Sequence, residues 1–247
     1  MEQVYLSPHF DDAALSCGGL IWEQALTGET AQVWTVCAGK PPGELSPFAQ
    51  ALHARWGTGV EAVDQRRNED IASCRVMGAQ FRHYPIPDCI YRQDPQGKEF
   101  LYASEEAIFG RLHPAEAPLI GWLSDRLSRD FTGLRSQPAM LVCPLALGNH
   151  VDHELTRSAA EATGIPLYYY EDYPYVLKEE ALTERLRKSR FEDVVFPVSE
   201  AGLRAWQQAI AAHGSQASTF WPDLSSMEEA VRYYLEVNGG VRLWHVK

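Results

Sequence analysis

Short apolar runs alternate with stretches of helical period along most of this chain, and few architectures accept that alternation. Residues 4–7, 32–38, 81–86, 139–144 and 167–171 read as strands. Residues 12–26, 60–77, 114–129 and 153–163 read as helices between them, with Gly78 and Gly164 placed as C-terminal caps. Strand-then-helix repetition supplies the crossovers that parallel strands need. Residues 179–187, 200–213 and 226–237 add further helical pattern, with a strand expected at 193–196. The expectation is an α/β chain: a Rossmann-like three-layer sandwich around a mostly parallel sheet, followed by a helical C-terminal segment over 198–247. Residues 89–110 have weak periodicity and several turn residues, and read as a loop inserted beside a strand end. With 247 residues, 45 % of them hydrophobic, the chain can bury one sizeable core, so residues 1–247 are expected to form a single domain.

Open parallel sheets bind ligands at the carboxyl ends of their strands. The first strand runs into Ser7-Pro8-His9-Phe10-Asp11-Asp12, the third into Pro87-Asp88, and the fourth into Gly148-Asn149-His150-Val151-Asp152-His153. Taken singly, each cluster has an ordinary structural account. Asp11 and Asp12 suit a helix N-cap, worth about 1 kcal/mol. His9 suits a satisfied core histidine, and His150 to His153 an exposed polar loop. Their convergence on one rim argues instead for a site. An imidazole and two carboxylates within four residues can supply two metal ligands and leave one carboxylate free. His150 or His153 can supply a third, which is the donor set of a catalytic zinc that keeps one position for water. No Gly-x-Gly-x-x-Gly or Walker-type loop is present, so a nucleotide cofactor has no support.

Charge narrows the partners. Asp and Glu number 33 against 22 Lys and Arg, a formal net charge of -11 with no basic cluster to offset it. Such a surface repels nucleic acid and anionic lipid, and favours a small neutral or cationic substrate, or a metal ion. The start of the chain lacks a basic segment and an apolar core of signal-peptide type, and no run of about 18 apolar residues could cross a bilayer. The expected setting is cytoplasmic, without membrane insertion. Cys17, Cys37, Cys74, Cys89 and Cys143 are odd in number and lack a Cys-x-x-Cys, which suits reduced core thiols. Oligomeric state is left open, a homo-oligomer included.

With these residues the sequence resembles the LmbE-like, PIG-L-type N-acetylglucosamine deacetylase family. The family's Pro-His-x-Asp-Asp is matched by Pro8-His9-Phe10-Asp11-Asp12, and its His-x-Asp-His by His150-Val151-Asp152-His153. Its Arg-x-x-Glu helix is matched by Arg66-Arg67-Asn68-Glu69, its Asp after strand three by Asp88, and one branch's aromatic stretch by residues 168–175. The resemblance implies removal of an N-acetyl or N-acyl group from an N-acetylglucosamine-type amino sugar or its conjugate. By the same resemblance His9, Asp12 and His153 hold the metal, zinc or ferrous iron, since two imidazoles and a carboxylate suit both. Asp11 is the general base, His150 the donor to the oxyanion, and Asp152 orients or charges that imidazole. Arg66 and Asp88 contact sugar hydroxyls, although Arg66 also stands four residues before Asp70 and could simply pair with it. Trp56 and Tyr91, in expected loops, are candidates to line the sugar cleft. The sequence departs from the family at Phe10 and Ala13, where Pro and Glu are common, and at residues 241–244, which lack an acid found in many members.

Two rivals compete. Gly148-Asn149-His150 resembles an element of two-metal phosphoesterases, but the Asp-x-His and Gly-Asp elements that complete such sites are missing. A catalytically silent sugar-binding protein of the same fold is the other, and it has no need of a free carboxylate such as Asp11 beside the ligands.

Overall fold

The computed structural model describes residues 1–59, 61–134, 138–187 and 190–247. In chain order the elements are β1 (Glu2–Ser7), α1 (Asp12–Leu26), β2 (Thr30–Thr35), α2 (Pro47–Arg55), α3 (Ala62–Met77), β3 (Gln80–His83), α4 (Glu105–Ile108) and α5 (Ala117–Thr132). Then follow β4 (Ala139–Pro144), α6 (Val151–Ala162), β5 (Leu167–Tyr170), α7 (Glu179–Leu186), β6 (Phe191–Phe196), α8 (Glu200–Ala211), α9 (Gly214–Phe220), α10 (Leu224–Asn238) and β7 (Val241–Val246).

The strands form one seven-stranded sheet in the order β3-β2-β1-β4-β5-β7-β6. The first five are parallel, with Tyr5 of β1 opposite Val33 of β2 and Val142 of β4. β7 runs antiparallel between β5 and β6. Every residue of β1 is buried, as expected of a strand covered on both faces. Side chains alternate across the sheet with period two. Val4 and Leu6 face the cluster made with Leu123 and Leu127 of α5 and Leu155 of α6. Tyr5 faces the opposite cluster, with Leu15 and Ile21 of α1, Met77 of α3 and Trp206 of α8. The three-layer α/β expectation holds.

The expected helices and strands of the parallel half recur with ends shifted by a few residues. Val60, the first residue expected in α3, lies outside the described residues. Gly78 ends α3 in the left-handed conformation, at φ +69°. β3 stops at His83 because Pro85 and Pro87 cannot donate to the ladder. Pairing continues there only as isolated bridges from Cys37 to Pro85 and from Gly39 to Pro87. Residues 198–247 are not wholly helical: after α10 the chain turns through Gly239 and returns as β7, whose Val241 and Leu243 are buried in the sheet core.

The segment over 89–110 is packed rather than loose. Ile90, Tyr91, Tyr102 and Ile108 are buried with Leu52 of α2 and Phe10 in a third apolar cluster, above the carboxyl ends of the strands. All five cysteines are buried and unpaired. Among the described residues no helix is long and apolar enough to cross a membrane.

Candidate metal centre

The strand-end clusters meet. β1 ends at Ser7, whose hydroxyl accepts from the Ala13 amide at 3.0 Å. Ser7 thereby serves a helix-start amide, and the Asp11 carboxylate, although at the N-cap of α1, makes no cap bond. Asp11 turns instead to Arg66, 3.3 Å from Nη2. Asp12 takes the Nδ1 of His9 at 3.2 Å on one oxygen and the Nε2 of His153 at 3.3 Å on the other. The Asp12 oxygen facing His9 also accepts the His9 backbone N–H at 2.7 Å. The rings of His9, His150 and His153 form a triangle with centroids 4.8, 5.5 and 5.4 Å apart.

Each of the two imidazoles on Asp12 is held at its other nitrogen by a buried carboxylate. His9 Nε2 lies 2.9 Å from Asp152, and His153 Nδ1 lies 2.6 Å from Asp172. A carboxylate on one ring nitrogen fixes the tautomer and leaves the other nitrogen's lone pair available, the arrangement found behind metal-ligating histidines. The imidazoles and carboxylates gathered here are therefore donors of the kind a divalent cation takes. Overlapping groups with metal-ligand spacing are His9, His150 and His153; Cys89, His150 and Asp152; and His9, Asp88 and Asp152.

The electrostatics point the same way. Asp11, Asp12, Asp88, Asp152 and Glu116 are buried, as is Asp172, against the buried guanidiniums of Arg66 and Arg92. Burial depresses the His153 pKa, but Asp12 and Asp172 outweigh it and lift the group to about 10. Burial likewise works against the charged form of His9, and Asp88, Asp12 and Asp152 overturn it to raise the pKa well above the usual range. Asp12 moves the other way: burial favours its neutral form, yet His153 and His9 hold it well below the usual carboxylate range. A site that gathers protons onto two imidazoles is one short of positive charge.

His150 differs from its neighbours. It caps α6 with its own ring, Nδ1 accepting the Asp152 amide at 3.2 Å. Burial and the nearby His9 depress its pKa well below the usual value, so the ring is neutral and carries its proton on Nε2. The Asp152 charge raises the pKa of His150, in line with the expectation that it orients or charges that imidazole, but burial and His9 outweigh it. That carboxylate is bonded to His9 and to Arg92 Nη1 and acts on His150 through its charge, while the Asp152 backbone N–H is what bonds to the His150 ring. The loop before it is shaped by Gly148 at φ +85°, where a Cβ would come within 2.8 Å of the Tyr175 ring.

Arg66 and Asp88 sit at the same rim, 3.6 Å apart, and the alternative pairing of Arg66 with Asp70 is not made. Asp70 is bound 2.6 Å from His83, and the neighbouring Arg67 reaches Ala38 and His83, away from the metal ligands. The Arg66 guanidinium lies 5.0 Å over Trp56, which lines the cleft with Ile108, Phe109 and Phe220. Tyr91 does not line it: its ring is buried and its hydroxyl is 2.6 Å from His53. Sequence reasoning missed Asp172 and Arg92. Asp172 follows β5 as Asp88 follows β3, so the strand-end rule could have found it. Nothing in sequence pairs Arg92 with Asp152.

The pattern of the PIG-L family, GlcNAc-PI de-N-acetylase, matches residues 4–163. The 2'-N-acetylparomamine deacetylase of Niallia circulans is 26% identical over 261 residues, covering 94% of this chain and 90% of that protein. The 2'-N-acetylparomamine deacetylase of Streptomyces fradiae is 32% identical over 195 residues, covering 75% of this chain and 62% of that protein. Among solved structures, the zinc-inhibited form of teicoplanin deacetylase Orf2 is similar over 99% of this chain and 97% of that one, with a TM-score of 0.84 and 28% identity. The strand-end His and Asp motifs, the parallel sheet that gathers them and these relatives agree: the chain belongs to the PIG-L family of deacetylases.

Proposed function

We propose that this chain is a divalent-metal-dependent hydrolase that removes the N-acetyl, or a related N-acyl, group from an N-acetylglucosamine-type amino sugar or its conjugate. The observation that carries the reading is the position of Asp12, its two oxygens set between imidazole nitrogens whose partners across the ring are tied to Asp152 and Asp172. His9, Asp12 and His153 would hold the cation, zinc or ferrous iron. When bound, it polarises the amide carbonyl and brings the pKa of water toward roughly 7. The relatives that act on N-acetylparomamine and teicoplanin support an amino-sugar amide as the bond cleaved.

The remaining chemistry falls to this chain's own residues. Asp11 stands beside the ligands but is bonded to neither imidazole, and Arg66 keeps its carboxylate turned into the cleft. It takes a proton from the attacking water, whose oxygen adds to the amide carbon. The carbonyl oxygen gains negative charge, and the Nε2–H of neutral His150 donates to it, in a pocket where unpaired charge is costly. Asp11 then returns its proton to the sugar nitrogen, the C–N bond breaks, and the acyl group leaves as a carboxylate. Arg66 and Asp88 offer donors and an acceptor to sugar hydroxyls at the rim.

Acetate release from N-acetylated amino sugars, measured alongside bound metal, tests this. Asp11→Asn is expected to keep the metal and lose at least about 100-fold in turnover. His153→Ala is expected to lose metal and turnover together. Near-normal turnover in Asp11→Asn overturns the mechanism, and sugar binding with neither metal nor hydrolysis in the unaltered protein favours the silent binder.

A further inference from the structure

The ring of His9 faces carboxylates on both sides. Nδ1 points to Asp12, while Nε2 lies 2.9 Å from Asp152 and 3.7 Å from Asp88. His9, Asp88 and Asp152 have metal-ligand spacing of their own, on the opposite side of the imidazole from Asp12. A neutral imidazole offers one lone pair, so a cation can be held on one side only. Something must select the side.

The pairing of the carboxylates makes the selection. Asp88 is 3.6 Å from the Arg66 guanidinium, and Asp152 is 2.5 Å from Arg92 Nη1. Among the described residues Asp12 is paired with imidazoles and no guanidinium. Arg92 is itself fixed at both ends. Its Nε pairs with Glu116, its Nη2 donates to the same carboxylate at 3.3 Å, and Nη1 also donates to the Pro87 carbonyl at 3.1 Å. Its guanidinium lies 5.5 Å from the centre of the Tyr102 ring, and the Tyr102 hydroxyl donates to Glu116 at 2.6 Å while accepting the His113 amide at 2.7 Å. Arg92, Glu116 and Asp152 are 6%, 3% and 0% exposed, so the assembly is desolvated.

We propose that Arg92 is a positioning residue that commits His9 to the Asp12 side: by neutralising and orienting Asp152, it leaves that carboxylate to accept the Nε2 proton of His9 and removes it from competition for the cation. The inference rests on His9, Asp12 and His153 being the ligands. It also gives the segment over 89–110 a task besides covering the cleft, since Arg92 and Tyr102 both come from it.

Zinc affinity of the metal-stripped enzyme, measured by chelator competition, tests the role, with the visible spectrum of the cobalt(II) form reporting ligand geometry. Arg92→Met is expected to weaken zinc binding about 10- to 100-fold and to alter the cobalt spectrum, and Arg92→Lys to recover part of the affinity. Tyr102→Phe loosens Glu116 without touching Asp152, so its affinity should stay within about twofold of the unaltered protein, whatever it does to stability. Unchanged affinity in Arg92→Met, or equal weakening in Tyr102→Phe, overturns the proposal. If Arg92→Met does not fold, Arg92→Lys carries the test: weakened zinc affinity with an altered cobalt spectrum supports the role, and wild-type affinity overturns it. Failure of the unaltered protein to take up zinc overturns the ligand assignment itself, a result separable from an unaffected Arg92 variant.

Discussion

His153 shows how much a single side chain is shaped by what surrounds it. Burial alone would make it a weak base, but Asp12 and Asp172 raise its pKa from 6.5 to about 10. A histidine whose pKa is raised by folding contributes stability that is full below 6.5 and is lost as pH climbs through the folded value. In the metal-free protein, the stability advantage over His153→Gln is therefore expected to shrink between pH 6.5 and 10. Urea unfolding at several pH values measures it, and a pH-independent difference would contradict the assignment. The residues of the site were legible because His9, Asp11, Asp12, Asp88, His150, Asp152 and His153 all follow strand ends. Their partners were less so. The Asp152 carboxylate meets the His9 ring and Arg92, sixty positions earlier, and no local pattern encodes that pairing.

Among the elements, α1 and α8 pack closely against each other. A Cβ on Gly18 would lie 2.6 Å from Cδ1 of Trp206, whose indole N–H donates to the Ala14 carbonyl at 2.8 Å. Helix propensity alone favours alanine at Gly18 by about 1 kcal/mol, but the indole has nowhere to move within a close-packed core. Gly18→Ala is expected to destabilise by about 1–3 kcal/mol, read from the denaturant midpoint. A stabilised variant would show that propensity outweighs packing there. Long periodic helices such as α1 and α3 were plain in the sequence, and so were the buried strands β1 and β4. α2 was not, although Ser46 caps it and Pro47 opens it, because its apolar residues pack under a segment that itself lacks a period. α9, Gly-Ser-Gln-Ala-Ser-Thr-Phe, holds few strong helix formers and is placed by tertiary contact.

At the scale of the whole molecule, the parallel order of the first five strands follows from the alternation of strand and helix, and was legible for that reason. The antiparallel end was not. β7 enters between β5 and β6 after three helices, although its Val-Arg-Leu-Trp-His-Val alternation carries the period of a half-buried strand. It also closes a polar cluster, for Glu171 receives the Trp244 indole N–H at 3.0 Å and the Tyr234 hydroxyl at 2.7 Å. Truncation after Asn238 removes an interior strand and leaves Glu171 short of a donor. Loss of the single cooperative melting transition is expected in calorimetry. Retention of a sharp transition would mean that β7 is dispensable to the core.

The floor and the mouth of the cleft come from different parts of the chain. The chemically active floor is written into the turns after β1, β4 and β5, whereas the mouth is built by Trp56 after α2, Ile108 and Phe109 around α4, and Thr219 and Phe220 of α9. Segments of the second kind can be exchanged, lengthened or re-coloured with other side chains while the hydrolytic apparatus stays put. Substrate range and reaction type are thus free to drift apart, and a designer wishing to redirect this scaffold has a natural seam along which to cut.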